Sequence, residues 1–187
     1  MELNKLDAAG RQLDAAIRMF FGEEDPVAVH TVTSAAFTVV RNLCEKRGNI
    51  DSFRRFSRWI KPGSEGKFWS AVNGQANFLK HADRDADDLF DFNEGATELL
   101  ILMAAKWFID LGNDSSPEIR AFGAWFVLMH PDMVQPAVIE EFRKASADFY
   151  PRLKGAFEKL DPHDHRRAGN EMLSQMRQAL NVTDRRK

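Results

Sequence analysis

The amino-acid sequence predicts an all-α protein, built as a single-domain bundle of seven or eight helices. Three observations lead to this prediction. Apolar residues recur at helical spacing along most of the chain, capping residues and prolines separate the apolar stretches, and alanine alone is as frequent as valine, isoleucine and threonine together. Alanine favours helices and β-branched residues favour strands, so this composition suits helices. We expect an apolar central helix at about residues 95–111.

The boundaries of the predicted helices follow from capping residues and prolines. In Asp25-Pro26 and Ser116-Pro117, a side chain that can cap a helix precedes a proline that suits the first helical position. In Asp91-Phe92-Asn93-Glu94 we predict a capping box, in which Asp91 and Glu94 bind opposite backbone donors. These signals and the apolar periodicity predict helices at about residues 3–21, 26–46, 53–60, 65–81, 95–111, 117–130, 136–150 and 165–180, with a short segment at 153–160 that continues the seventh helix after Pro151.

Length, charge and cysteine content point to one cytoplasmic domain. The chain has 187 residues, a net charge of -2 and one cysteine, Cys44. Its length fits a single domain over residues 1–187, and we expect a flexible basic tail at about 182–187. A lone cysteine forms no internal disulfide, which favours a reducing compartment. Signal-peptide features and apolar stretches of about 20 residues are missing, so we expect a cytoplasmic, bacterial protein that has no membrane contact.

A polar helix face that runs into an acidic segment is the strongest candidate for a binding site. Helical spacing places Asn73, Asn77 and His81 on one face. Imidazole titrates near neutrality, so a pair of His81 with a following carboxylate is suited to proton transfer. The alternative is that these are solvated groups that balance the charge of helix ends. The predicted ligand-binding residues are Asn73, Asn77, Lys80, His81, Asp83 and Asp85.

The same acidic segment could hold a divalent metal ion. Counted from Asp83, carboxylates fall at positions one, three, five, nine and twelve, the spacing of oxygen ligands in an EF-hand. Position six is Asp88 instead of the glycine that allows the sharp turn, and the chain has no second loop of this kind. The candidate metal ligands are Asp83, Asp85, Asp87, Asp91 and Glu94, and no motif for another cofactor is present.

A basic stretch precedes the acidic one. Residues 41–67 hold eight lysines and arginines against three acids, whereas residues 83–94 hold six acids and one arginine. A basic helix face could bind phosphates, an acidic partner, or the acidic segment of this chain or of a second copy. The chain is slightly acidic overall and has one tyrosine, so we favour a protein partner or self-association over nucleic acid. The candidate residues for an anionic partner are Arg54, Arg55, Arg58 and Lys61.

The first half of the chain resembles known helical families. Residues 13–21, followed by Asp25-Pro26 and an alanine-rich helix, resemble uncharacterised bacterial helical proteins, which also carry a segment similar to residues 77–85. This opening is similar to HEPN-type domains, whose active members are ribonucleases or partners of nucleotidyltransferases. The HEPN catalytic pattern has an arginine four to six residues before a histidine, and no histidine here has an arginine at that spacing. The resemblance therefore implies binding or scaffolding.

Together these features predict a binding or protein-interaction module with a polar site around His81. The alternative is an enzyme, either metal-dependent through residues 83–94 or a divergent HEPN-like ribonuclease. A glycine-rich phosphate loop, a nucleophile elbow and a paired-cysteine zinc motif are all missing from the sequence. The sequence thus leaves open whether the protein has any catalytic activity.

Overall fold

The computed structural model describes residues 1–48, 65–80, 87–134, 136–145, 155, 157, 159–161 and 164–184. Within these ranges the regular elements are helices and no strand is present, which confirms the all-α prediction. Two compact units are formed, the first by residues 1–19 and 24–114 and the second by residues 20–23 and 115–187. None of the helices in the described part of the chain is long and apolar enough to cross a membrane.

Four helices form the first unit: α1 (Lys5–Phe21, up to residue 19), α2 (Pro26–Lys46), α3 (Glu65–Phe78) and α4 (Glu94–Asp110). The apolar stripe of α1 is fully buried at Leu13 and Ile17, as its periodicity predicts. At Gly10 a Cβ atom would lie 2.9 Å from Cζ of Phe108, so α1 approaches α4 closely there. Both α1 and α4 therefore contribute to the core of this unit.

The pairing of α2 with α4 dominates the packing of the first unit. The rings of Phe37 and Trp107 are stacked, with centroids 5.2 Å apart. Buried positions cover more than half of the circumference of α4, and Lys106 and Ile109 lie on the exposed remainder. The predicted apolar helix at 95–111 is thus a core element of this unit without being buried all round. Its buried residues are Thr97, Leu100, Ile101, Met103, Ala104, Ala105 and Trp107.

The second unit contains α5 (Pro117–Met129), a 3-10 turn (Pro131–Met133), α6 (Pro136–Ala145) and α7 (His165–Asp184). Its core is aromatic: the rings of Phe20 and Trp125 have centroids 5.1 Å apart and meet edge to face. At Gly169 in α7 a Cβ atom would lie 2.2 Å from Cε1 of Phe21. Phe21 therefore occupies the volume that any larger residue at position 169 would need.

Two of the predicted caps are confirmed and one is wrong. The Asp25 carboxylate accepts from the backbone N–H groups of Val27 and Ala28, and the Ser116 hydroxyl accepts from that of Ile119. The capping box at residues 91–94 is not formed, because the cap of α4 is Asn93, whose side chain accepts from the backbone N–H of Gly95.

Other boundaries differ from the prediction or lie outside the described residues. Helix α3 ends at Phe78, three residues before the predicted end. Helix α7 continues to Asp184, so residues 182–184 of the predicted tail are helical. The segment predicted at 53–60 and the tail residues 185–187 lie outside the described residues. The predicted total of seven or eight helices, and the single domain over 1–187, are therefore not confirmed.

Candidate binding site

The structure describes half of the predicted ligand site. Asn73 lies on α3 and is half-buried, and its side-chain oxygen accepts from Nη1 of Arg41 across 3.5 Å. Asn77, one turn further along α3, and Lys80, two residues past its end, are exposed. Asn73 thus helps to hold α3 against α2, whereas Asn77 and Lys80 are available to a ligand. The other predicted residues, His81, Asp83 and Asp85, lie outside the described residues.

The predicted metal ligands that are described do not form a metal site. Asp87, Asp91 and Glu94 are exposed. Within the described ranges no group of three or more His, Cys, Asp or Glu side chains could hold a metal ion. Asp83 and Asp85 lie outside those ranges, as do the four basic residues predicted for an anionic partner, Arg54, Arg55, Arg58 and Lys61. The metal and basic-face hypotheses stay predictions.

The most polar part of the first unit's core is built around His30, on α2. The imidazole is fully buried, and its Nδ1 lies 2.9 Å from Oγ1 of Thr97 on α4 and 3.3 Å from Nε2 of Gln75 on α3. The carbonyl oxygen of the Gln75 side chain accepts the backbone N–H of Asn93, across 2.6 Å. One buried network therefore joins three helices and the residue that caps α4.

The hydrogen bonds of Gln75 fix the protonation of His30. Because the amide oxygen of Gln75 accepts from Asn93, its amide nitrogen is the group that faces Nδ1, and that nitrogen can only donate. Nδ1 is therefore an acceptor, and its single lone pair is shared by the Gln75 amide and the Thr97 hydroxyl. A neutral imidazole that accepts at Nδ1 carries its hydrogen on Nε2.

The Nε2 atom of His30 is buried and has no hydrogen-bond partner among the residues that the structure describes. A buried donor without an acceptor costs about 1–3 kcal/mol, so the great majority of such groups in proteins are bonded to protein or to ordered water. The free Nε2–H of His30 is therefore an exception in an otherwise satisfied network. Among the described residues of this unit it is one of several buried polar atoms without a hydrogen-bond partner, which also include Oε1 of Gln12 and Oγ of Ser34.

Burial and a neighbouring cation keep His30 neutral. Desolvation by burial and, to a smaller extent, the positive charge of Lys80 together lower the pKa of the imidazole from 6.5 to about 4. His30 is thus uncharged at physiological pH, as its bonds to Gln75 and Thr97 require.

The segment before α4 packs against this network. We call residues 87–93 the acidic strap; most of it lies outside regular secondary structure. Its aromatic residues contact the helices: the Phe90 ring stacks on Phe78 with centroids 5.1 Å apart, and the Phe92 ring meets His30 edge to face at 5.6 Å. The backbone bond from Asn93 to Gln75 is a third anchor. The strap is therefore attached at three points to α2 and α3.

The residues of the strap before and between these anchors face solvent. Leu89 is 99% exposed, and Asp87, Asp88 and Asp91 are exposed as well. The rings of Phe90 and Phe92 contact the helices, although Phe90 is 40% exposed, and we call the solvent-facing part of the strap, with Leu89 and Asp91, its outer side. The outer side of the strap thus presents one uncovered apolar side chain among carboxylates.

His30 is not among the site residues that the sequence predicts, so the sequence analysis missed this network. The partners of His30 lie 45 and 67 positions away in the chain, so no local pattern identifies them. The one local signal is that His30 shares the apolar side of α2 with Phe37 and Val40, where a polar residue needs a partner. That signal indicates burial and says nothing of which groups bind the imidazole.

Comparison of the chain with protein-family models, with curated proteins and with solved structures gave no match. The contacts of the described residues therefore carry the functional argument. The similarity to HEPN-type domains stays a prediction.

Proposed function

We propose that this chain is a protein-interaction module of the cytoplasm that recognises its partner through the outer side of the acidic strap. Asn77 and Lys80, at the end of α3, would border this surface. The predicted site residues His81, Asp83 and Asp85 belong to the same proposal, because they lie between Lys80 and the strap in the sequence.

The observation that carries the proposal is the exposure of Leu89 on an anchored backbone. A free leucine on the surface is common, and alone it indicates nothing. Here the neighbouring Phe90 and Phe92 hold the backbone against the helices, so Leu89 is presented in a defined position. A binding segment that is ordered before it meets its partner loses less conformational entropy on binding.

The chemistry of the strap defines the partner. Three exposed carboxylates, of Asp87, Asp88 and Asp91, surround the Leu89 side chain in sequence. A complementary surface has an apolar pocket for the leucine and lysines or arginines around it. The apolar contact would supply affinity, and the charge pairs would supply orientation and speed of association.

Selection of peptides from a random display library on the full chain tests this proposal. We expect the enriched peptides to combine an apolar residue with lysines or arginines. Their affinity, measured by fluorescence anisotropy, is expected to fall by about tenfold in Leu89→Ser, in the range of an interface contact worth more than 1 kcal/mol. Raising the salt concentration is expected to weaken binding as well, because the charge pairs are exposed.

Leu3→Ser is the matched control, since Leu3 is also an exposed leucine but lies far from the strap in the sequence. It is expected to bind the selected peptides as the wild type does. Equal binding by wild type and Leu89→Ser would contradict the proposal. A molecular mass in solution that rises with protein concentration for the wild type, and not for Leu89→Ser, would identify the partner as a second copy of the chain.

A further inference from the structure

The side chain of Gln75 links the buried histidine to the acidic strap. Its amide nitrogen lies 3.3 Å from Nδ1 of His30, and its amide oxygen accepts the backbone N–H of Asn93, the last residue of the strap. The ring of Phe92 also contacts His30. Two of the three anchors of the strap therefore depend on His30 or on Gln75.

A proton on Nδ1 of His30 would change what the Gln75 amide faces. The new N–H makes this ring nitrogen a donor, and the amide nitrogen opposite can only donate as well. The Thr97 hydroxyl, 2.9 Å from Nδ1, can turn and accept the new hydrogen, but the amide nitrogen still faces a positively charged ring. The Gln75 amide thus has a donor at each end and one oxygen to accept with.

The charged ring is the stronger of the two donors. A hydrogen bond from an ionised donor is roughly twice as strong as a bond between neutral groups. The amide of Gln75 therefore gains by turning its oxygen towards His30, and its nitrogen then meets the backbone N–H of Asn93. The bond that anchors Asn93 is the one that breaks.

We propose that His30, Gln75 and Asn93 form an acid-sensitive latch, in which protonation of the imidazole breaks the Gln75–Asn93 bond and loosens the acidic strap. The consequence for partner binding rests on the proposed function, because the strap carries Leu89. A loosened strap no longer holds Leu89 in a defined position, so a partner binds less tightly. The latch itself needs no partner and can be tested without one.

Other charged groups lie on the elements that pack against His30. Among the described residues, Lys80 after α3 is the one whose charge, together with burial, sets the pKa of the imidazole at about 4. Carboxylates in general also titrate in mild acid, so the experiment has to separate them from the latch. They are Asp87, Asp88 and Asp91 in the strap and Glu94 and Glu98 in the first turns of α4.

Amide hydrogen exchange at Asn93 in the full chain follows the latch directly. The protection factor, the ratio of intrinsic to measured exchange rate, removes the direct effect of pH on exchange. We expect the protection of Asn93 to fall by about tenfold or more from pH 7 to pH 5, while Met103, in the core of α4, keeps its protection. Unchanged protection of Asn93, or an equal loss at both amides, would overturn the latch.

Two variants separate the latch from the carboxylates. Gln75→Glu supplies a second acceptor oxygen, so it can bind the charged His30 and Asn93 at once and is expected to keep Asn93 protected at pH 5. His30→Asn has no imidazole to protonate and is expected to do the same. Both variants retain the carboxylates of the strap and of α4, so an equal acid-induced loss in wild type and variants would also overturn the latch.

Peptide binding distinguishes a failure of the latch from a failure of the proposed function. The selected peptides are expected to bind the wild type several-fold less tightly at pH 5 than at pH 7, with a smaller loss in His30→Asn. If Asn93 stays protected and Leu89→Ser still weakens peptide binding, the latch is wrong and the proposed function stands. If Asn93 loses protection and Leu89→Ser binds peptides as the wild type does, the latch stands and the proposed function is wrong.

Discussion

Gln75 bonds to His30 across 3.3 Å and decides which ring nitrogen of that histidine carries the hydrogen. The same side chain accepts the backbone N–H of Asn93, so its two ends cannot exchange roles. One buried amide, 2% exposed, therefore controls the chemistry of a core histidine and anchors the acidic strap. Changes at position 75 should alter both properties together.

Replacing Gln75 with glutamate is expected to raise the pKa of His30. The substitution keeps the shape and an acceptor for Asn93, but it places a carboxylate where an amide donor faces Nδ1. A carboxylate next to an imidazole stabilises the charged ring, so the pKa should rise from about 4 to above its ordinary value. NMR titration of the His30 ring protons measures this, and His130 in the second unit is the internal control. An unchanged pKa of His30 would contradict the assigned hydrogen-bond directions.

The pH dependence of stability should carry the signature of His30. Its pKa is about 4 in the folded protein and 6.5 as the ordinary value, so below pH 6.5 the unfolded chain binds a proton that the folded one does not. Stability is therefore unaffected above about pH 7 and falls as the pH decreases from there towards 4. The expected loss attributable to this residue is about 2 kcal/mol near pH 5.

Comparison with His30→Asn isolates this effect from other titrations. Asparagine can still present an acceptor to Gln75 and Thr97, but it does not titrate. The free energy of unfolding, from urea denaturation at neutral and at acid pH, should thus fall less in the variant than in the wild type. The prediction fails if both proteins lose the same amount between the two pH values.

Substitution by alanine should have opposite effects on the stability of the protein at two helical glycines. A methyl group at Gly169 would overlap the Phe21 ring, with 2.2 Å between Cβ and Cε1, whereas one at Gly123 in α5 meets nothing within 4 Å. Overpacking typically costs 1–3 kcal/mol, and we expect about 2 kcal/mol or more for Gly169→Ala. Gly123→Ala is expected to stabilise by about 0.5–1 kcal/mol, because alanine loses less entropy in a helix.

Thermal denaturation of the two variants checks this prediction. The pair is matched, since both substitutions add the same methyl group to a helix of the second unit. Equal melting temperatures for Gly169→Ala and the wild type would show that Phe21 can move aside at no cost. A Gly123→Ala variant less stable than the wild type would mean that the methyl group meets an obstacle at that position.

The sequence correctly predicted the helix starts that depend on neighbouring residues. Its prediction was wrong where a contact with a residue distant in the sequence determines the start of the helix. Asp25 and Ser116 cap their helices as predicted, because a cap binds backbone groups two or three residues away. At α4 the predicted cap was Asp91, but Phe92 contacts His30 and the helix begins after Asn93. The position of His30 relative to Phe92 cannot be predicted from the residues that neighbour either of them in the sequence.

In the candidate site, too, the sequence predicts what depends on local spacing and composition but not what depends on packing. Helical spacing placed Asn73 and Asn77 on one helix, where the structure has them, yet only Asn77 of the two is exposed. That Asn73 binds Arg41 depends on how α2 and α3 pack. The acidic composition of residues 87–91 was visible from the start, whereas the exposure of Leu89 follows from Phe90 packing against Phe78. Composition identified the segment, and packing determined which of its residues can be recognised.

Cys44 gives a chemical test of the α2–α4 interface. This thiol is 6% exposed, with Sγ 3.8 Å from the backbone oxygen of Trp107. Burial raises the pKa of the thiol, and the charge of Asp110 acts in the same direction, so little reactive thiolate forms in the folded protein. Labelling by a thiol reagent at mildly alkaline pH should therefore be slow and should accelerate to the rate of a free thiol in urea. Leu89→Ser, a surface change, should leave the labelling rate unaltered, while fast labelling of the native wild type would show that α2 and α4 separate readily.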